Sequence, residues 1–223
     1  MCVYEGLSVR NQRRVNMDSL LLKEREIGGR KACLAVVCDG VGSMADGAFA
    51  ASRAVRLLCE WMDRLTDANR IGLRLRDEVL RINHIILNES RTNGLKTATT
   101  LSGLLLIENR YYIVHLGDSR IYGYQDGTLE LLTTDHSYNG KLTSCLGCTE
   151  NPIICYNEGA SEEKRFLLCS DGLYKRIDLD LLQMELQQLT KKNIKKTIDR
   201  LTQTVMECGE TDNVSVALVI CER

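Results

Sequence analysis

Apolar positions along the chain alternate between two periods. Residues 3–9, 18–24 and 32–38 are short and apolar or alternating, which predicts strands, and the third runs through "CLAVVC" into Asp39-Gly40. After it, Ala51, Val55, Leu58, Met62 and Leu65 recur at steps of three and four, while Arg53, Arg56 and Glu60 fall elsewhere. That spacing places the apolar set on one helical face. Leu75, Val79, Ile82 and Ile86 repeat the pattern in a second helix. Both stripes need an apolar surface to cover, and a sheet is the one available.

Strand signals then follow one another: "TTLSGLLLIE", "YYIVHLG", "SRIYGY" and "TLELLT", with Asn109-Arg110 and Asp126-Gly127 between them. Asp-Gly joining two strand-like runs is a tight-hairpin signal, because both central positions accept positive φ. The sheet is therefore expected to be largely antiparallel. Further strands are predicted near 152–157 and 164–169, and a helix from about 191 to 207 on Ile194, Ile198, Leu201 and Val205; "NVSVALVI" follows as a buried strand. Strands and helices come in blocks rather than in strict alternation, which argues for α+β layers over a doubly wound parallel sheet.

With 223 residues, 44% of them hydrophobic and 26% charged, the chain can fill one sizeable core. A single proline and the lack of linker-like or repeated stretches point to one domain, 1–223. A formal net charge of -1 gives no electrostatic footprint for nucleic acid or for charge-driven membrane association. Runs such as "LSGLLLI" fall far short of the roughly 20 residues of a membrane span. The opening "MCVYEGLSVRNQRR" lacks the apolar core of a secretory signal, so a cytoplasmic protein is expected.

That compartment frames the ten cysteines. Cys33, Cys38, Cys59, Cys169 and Cys221 lie in apolar runs as small core hydrophobes, and reduced thiols are expected. Cys145 and Cys148 form a C-x-x-C that could be half a zinc site or a redox pair, with Cys155 nearby. No second C-x-x-C or H-x-x-x-H accompanies it, and the pair reads as structural thiols.

The chemistry lies in the aspartates. Asp39 is joined by Asp118 in "VHLGDSR", Asp171 in "LLCSDGL", Asp212 in "GETDNVS" and Asp18. Carboxylates brought together repel one another unless a cation neutralises them. Oxygen donors without His or Cys suit Mg²⁺ or Mn²⁺. Two such ions roughly 3.5–4 Å apart can share and acidify a water facing a phosphorus centre, which makes phosphoester hydrolysis the natural reaction. Asp126-Gly127 reads as an ordinary turn. None of His84, His115 and His136 has metal-ligand spacing, and all three read as structural.

The strings "RRVNMDS", "VVCDGVGS", "TATTLSG", "HLGDSRIY", "LLTTDHS", "CLG", "LLCSDGL" and "ETDNVSV" occur in an order that resembles the metal-dependent serine/threonine protein phosphatases of type 2C, particularly the short bacterial members, over nearly the whole chain. The resemblance implies a four-layer α-β-β-α sandwich, two mostly antiparallel sheets flanked by helix pairs. It makes Asp39 the bridge between two metals, with the Gly40 carbonyl as a further ligand. Asp171 and Asp212 become the other ligands of the first metal, and Asp18 acts largely through bound water. Arg13 takes the position of a phosphate-gripping arginine, with Arg14 as its bland neighbour. Asp118 joins Asp171 at a third metal. The cofactor implied is Mn²⁺ or Mg²⁺, two ions with room for a third. The reaction implied is attack on phosphoserine or phosphothreonine by a hydroxide bridging the two metals. The partners implied are phosphorylated proteins from a cognate serine/threonine kinase, met by a monomer.

Three departures stand out. Met17 replaces the usual Glu or Gln before the aspartate, and Val41 stands where eukaryotic relatives have a histidine. Only Tyr138 to Cys145 separates "DHS" from "LG", so a flap of some tens of residues is nearly deleted. Met17 and the short flap motivate one rival, a pseudophosphatase that binds phosphoproteins or a regulatory partner, and a metal-dependent hydrolase of small phosphate esters is a further alternative.

Overall fold

The computed structural model describes residues 2–42, 44 and 46–222; the outermost positions of the expected domain, Met1 and Arg223, lie outside them. In chain order the elements are β1 (Cys2–Val9), β2 (Ser19–Ile27), β3 (Arg30–Cys38), α1 (Gly47–Arg64), α2 (Ile71–Asn93), β4 (Leu101–Ile107), β5 (Arg110–Leu116), β6 (Arg120–Gln125), β7 (Thr128–Leu131), β8 (Ser137–Tyr138), β9 (Lys141–Leu142), β10 (Cys155–Ala160), β11 (Arg165–Cys169), α3 (Asp171–Tyr174), α4 (Leu179–Gln187), α5 (Ile194–Glu207) and β12 (Val214–Cys221).

Two five-stranded sheets form, ordered β1-β12-β11-β6-β7 and β10-β5-β4-β3-β2, and β8-β9 makes a separate small hairpin. Their strand pairs are antiparallel. Three apolar cores separate four layers. Leu58, Met62, Leu75, Val79 and Ile86 pack α1 and α2 onto one face of the second sheet. Ala35, Val37, Leu104, Phe166, Leu168 and Ala217 fill the space between the sheets. Leu182, Leu186, Ile198, Leu201 and Val205 pack α4 and α5 onto the outer face of the first sheet. The α+β layering read from the sequence pattern and the α-β-β-α sandwich that the resemblance implied are the observed architecture.

The period-2 strands next to the inter-sheet core explain the layering. Along β3, Cys33, Ala35 and Val37 face the first sheet, while Leu34, Val36 and Cys38 face α1 and α2. Being buried on both sides, this strand reads as an unbroken apolar run. One strand is displaced from expectation: 152–157 was the predicted span, and β10 is Cys155–Ala160. It is an edge strand with Asn157 and Glu158 exposed, so its apolar signal is weak.

The cysteines require a correction. Cys33, Cys38, Cys169 and Cys221 are buried free thiols, as expected, but Cys145 and Cys148 are joined in a disulfide, their Cα atoms 5.9 Å apart. The turn between them closes at Gly147, whose φ of +85° reverses the chain within the four-residue span.

Candidate active site

Loops at one end of the sandwich enclose a cleft of about 700 Å³ lined by Arg13, Asp39, Gly40, Asp118, Asp171 and Asp212, with Met17, Val41, Lys141 and the Cys145–Cys148 pair on the same wall. Six of the seven residues expected to serve the site therefore meet there. Asp18 is the seventh; it is buried behind the wall and borders a different, shallower depression.

Each carboxylate is set by its local chain. Asp39 follows β3 directly, and its N–H donates to Thr100 Oγ1 at 2.9 Å. Its carbonyl accepts from the Thr100 N–H and from Thr99 Oγ1, both at 2.9 Å. Gly40 donates to the Met17 carbonyl at 3.2 Å, and a Cβ there would lie 2.5 Å from the Gly47 backbone and 2.7 Å from the Met17 oxygen. Only glycine lets the chain pass that point. Asp171 opens α3, and Asp212 precedes β12; the two loops are tied by Ser170, whose N–H donates to the Ser215 carbonyl and whose Oγ accepts from the Ser215 N–H, both at 3.0 Å. The same Ser170 hydroxyl donates to Asp18 Oδ2 at 2.8 Å, which fixes the buried carboxylate to the rear of the cluster.

Electrostatically, the carboxylates dominate the wall, and burial weighs on them first. Desolvation pushes the Asp39 carboxyl well above its ordinary pKa, and Asp18, Asp171, Asp118 and Asp212 push it the same way. Asp18 is raised to about 6 by burial, against the lowering effect of hydrogen bonds from Ser215 and Ser170. Asp118 is raised by burial and by Asp171. Carboxylates such as Asp39, Asp18 and Asp118, held toward their neutral forms by burial and by neighbouring charge, are what a bound cation relieves.

Two side-chain cations reach the cluster. Arg13 forks onto Asp212, Nε to Oδ1 at 2.8 Å and Nη2 to Oδ2 at 2.7 Å. Lys175 Nζ donates to Asp171 Oδ2 at 2.5 Å. With Asp212 and Asp171 so engaged, no three His, Cys, Asp or Glu side chains among the described residues converge on one point as they stand. The donor set nevertheless fits a hard divalent ion: among the described residues the wall offers carboxylate and carbonyl oxygens without histidine, and its two cysteine sulfurs are tied to each other.

Two supporting residues escaped the sequence reading. Asn213, buried next to Asp212, accepts from the Met17 N–H at 2.9 Å and donates to the Arg10 and Val15 carbonyls at 2.9 and 3.0 Å. It thereby shapes the loop that carries Arg13. Lys175 lies four residues after Asp171, the spacing of one helical turn, which was its only signal. None of the three histidines lines the cleft. His115 is buried between Ser102 Oγ and the Thr134 carbonyl, and burial lowers its pKa to about 4. His136 accepts from the Gly117 N–H and touches Cys155, and His84 is exposed on α2.

A cleft at the end of an antiparallel sandwich with carboxylates crowded on its wall suits metal-dependent hydrolysis. Residues 5–219 match the family model described as protein phosphatase 2C, and the chain belongs to that family. The serine/threonine phosphatase stp of Listeria welshimeri is 28% identical over 216 residues, covering 83% of each chain. A catalytic domain of the phosphatase PstP, solved in complex with two manganese ions, superposes with a TM-score of 0.81 at 27% identity, over 98% of this chain and 97% of that one. The serine/threonine phosphatase Stp1 from Staphylococcus aureus gives a TM-score of 0.90 over 100% of this chain and 96% of that one; at 21% identity it attests the fold. The protein is thus a protein-serine/threonine phosphatase, metal-dependent and directed at phosphoproteins. Among the described residues no helix is long and apolar enough to cross a membrane.

Proposed function

We propose that the cleft hydrolyses phosphoserine and phosphothreonine with Asp39 and Arg13 as its central residues. The observation that carries the assignment is the convergence of Asp39, Asp118, Asp171 and Asp212 on one wall, with Asp39 and Asp118 held toward neutrality first by burial and then by the other carboxylates. Asp39, the Gly40 carbonyl, Asp171 and Asp212 would hold two Mn²⁺ or Mg²⁺ ions, with Asp18 steadying the rear and Asp118 with Asp171 offering a third position. Such ions supply an acidified water as nucleophile and positive charge for the phosphoryl oxygens.

The chain's own part is orientation. The Arg13 guanidinium presents a planar fork that suits two phosphate oxygens as well as it suits the Asp212 carboxylate it now holds. Once Asp212 is engaged elsewhere, that fork turns to substrate. Val41 leaves its stretch of wall without a side-chain acid, and its N–H is committed to the Ala98 carbonyl at 2.9 Å.

By the same reading, one domain spans 1–223, and the segment 138–145 stands where relatives carry a flap, leaving the cleft open to folded phosphoproteins. The chain would act as a cytoplasmic monomer on the products of a cognate serine/threonine kinase. The test is turnover of a phosphothreonine peptide and of p-nitrophenyl phosphate by the purified chain with and without Mn²⁺. Metal-dependent release of phosphate that Asp171→Asn abolishes, with the melting curve retained, is the expected result. Equal turnover by that variant would overturn the assignment, and hydrolysis of the small ester alone would transfer it to small phosphate esters.

A further inference from the structure

The Cys145–Cys148 pair is not used in this mechanism, yet it forms part of the wall of the same cleft. We propose that it is a reversible dithiol–disulfide site whose state sets how firmly the β8–β9 hairpin is held at the cleft mouth; the coupling to turnover rests on the reading of the cleft given above.

Three observations converge. First, the two sulfurs are unequal: Cys145 is buried, whereas Cys148 is exposed. That division suits thiol–disulfide exchange, which needs one accessible sulfur and one shielded partner. Second, the turn between them is built to stay in place. Asn83, a fully buried amide on α2, accepts from the Gly147 N–H at 2.8 Å and donates to the Thr149 carbonyl at 2.8 Å. Third, the turn is wired to the site on one side and to the hairpin on the other. Leu146 and Thr99 exchange backbone hydrogen bonds at 2.9 and 3.1 Å, and Thr99 Oγ1 donates to the Asp39 carbonyl. On the other side, the Thr143 N–H donates to the His136 carbonyl at 2.8 Å, closing the base of a hairpin that places Gly140, Lys141 and Leu142 on the cleft wall.

The oxidant is a low-molecular-weight disulfide, RSSR. The Cys148 thiolate attacks one of its sulfurs, expelling RS⁻ and leaving a mixed disulfide. Cys145 then attacks the Cys148 sulfur and expels the second RS⁻. Two S–H bonds and one S–S bond are lost, one new S–S bond forms, and both protons and both electrons end on two RSH. Reduction reverses each step. With the pair open, the turn keeps its bonds to Asn83 and Thr99 but loses its covalent closure, which frees Cys145 and the segment through Thr143 that joins it to the hairpin, so substrate must order more of the cleft mouth on binding.

The experiment equilibrates the full chain in oxidised and in reduced glutathione, alkylates it, and maps the cysteines by peptide mass spectrometry. Cys145 and Cys148 are expected to become protected together. Free alkylation of both in oxidised glutathione would overturn the site. In parallel, KM for a phosphothreonine peptide should rise about threefold to tenfold on reduction while kcat on p-nitrophenyl phosphate stays within about twofold. Cys148→Ser, an exposed substitution, should show the reduced KM in both buffers. An equal KM in both buffers, or a C148S protein that still responds to glutathione, would overturn the coupling. Lack of turnover in either buffer would overturn the coupling and the reading of the cleft together, while the alkylation map would still decide the pair.

Discussion

Asp39-Gly40 and Asp126-Gly127 are the same dipeptide, each at the end of a strand, and they do opposite things. Asp126 and Gly127 are exposed, with φ of +51° and +83°, and they fold β6 back onto β7 so that Gln125 pairs with Thr128. The chain returns to the sheet it left. Asp39-Gly40 instead leaves β3 for good, passes against Gly47 and Met17 with no space for a side chain, and enters α1 beyond the cleft. The first pair is determined by its own dihedrals, the second by what surrounds it. A local motif thus becomes a site only when distant segments, here the loops before Asp118, Asp171 and Asp212, are brought against it.

The contrast breaks most visibly at the carboxylates. Asp39→Asn should lower kcat on a phosphothreonine peptide by roughly 10³ with the fold intact, while Asp126→Asn should match the parent protein. Next come the glycines. Gly40→Ala forces a Cβ into the Gly47 and Met17 backbone and should cost about 3 kcal/mol by denaturant unfolding, with Mn²⁺ binding impaired. Gly127→Ala strains only a positive φ and should cost about 1 kcal/mol with activity unchanged. Arg13→Ala should lower kcat/KM for the peptide by about tenfold to a hundredfold, the worth of a forked hydrogen bond to an anion.

A smaller effect follows from charge. Asp18 is raised to about 6 and Asp39 well above its ordinary value, both chiefly by burial, so both take up protons as pH falls. A divalent ion must displace those protons, so binding releases them and strengthens as pH rises. Calorimetry should find Mn²⁺ about tenfold weaker at pH 5 than at pH 7, with heats that change with the buffer's ionisation enthalpy. Pairing of Arg13 with Asp212 works in the same direction at every pH, since the ion competes with a guanidinium that stays charged.

Much of the sandwich was legible because its strands and helices obey simple periods. Ala51, Leu58, Met62 and Leu65 are buried on one face of α1 or just past its end, as their spacing requires. Helix α4 went unread because its inward face mixes Leu182 and Leu186 with Glu185, a buried carboxylate made tolerable by the Arg200 fork at 2.9 and 2.5 Å. No local pattern can announce a partner fifteen residues away. The same limit applies at the cleft. The aspartates were visible as recurrent charges at strand ends, but the grip of Arg13 on Asp212 joins opposite ends of the chain and depends on β1 lying beside β12. The C-x-x-C was visible as a motif, whereas the folded turn that carries its disulfide is held by Asn83 from across the molecule on α2, which no local pattern announces.

That pairing of β1 with β12 also decides where attachments can be made. Cys2 stands directly opposite Cys221, while Val9 and Val214 form the other end of the ladder, next to the loops that carry Arg13 and Asp212. Eight residues of strand set the two ends about 25 Å apart. Any tether joined at either end of the described chain therefore leaves from the pole away from the cleft. A label, a surface anchor or a second module can be fused there, and the phosphatase can be fixed to a support by both ends at once with its mouth facing solvent.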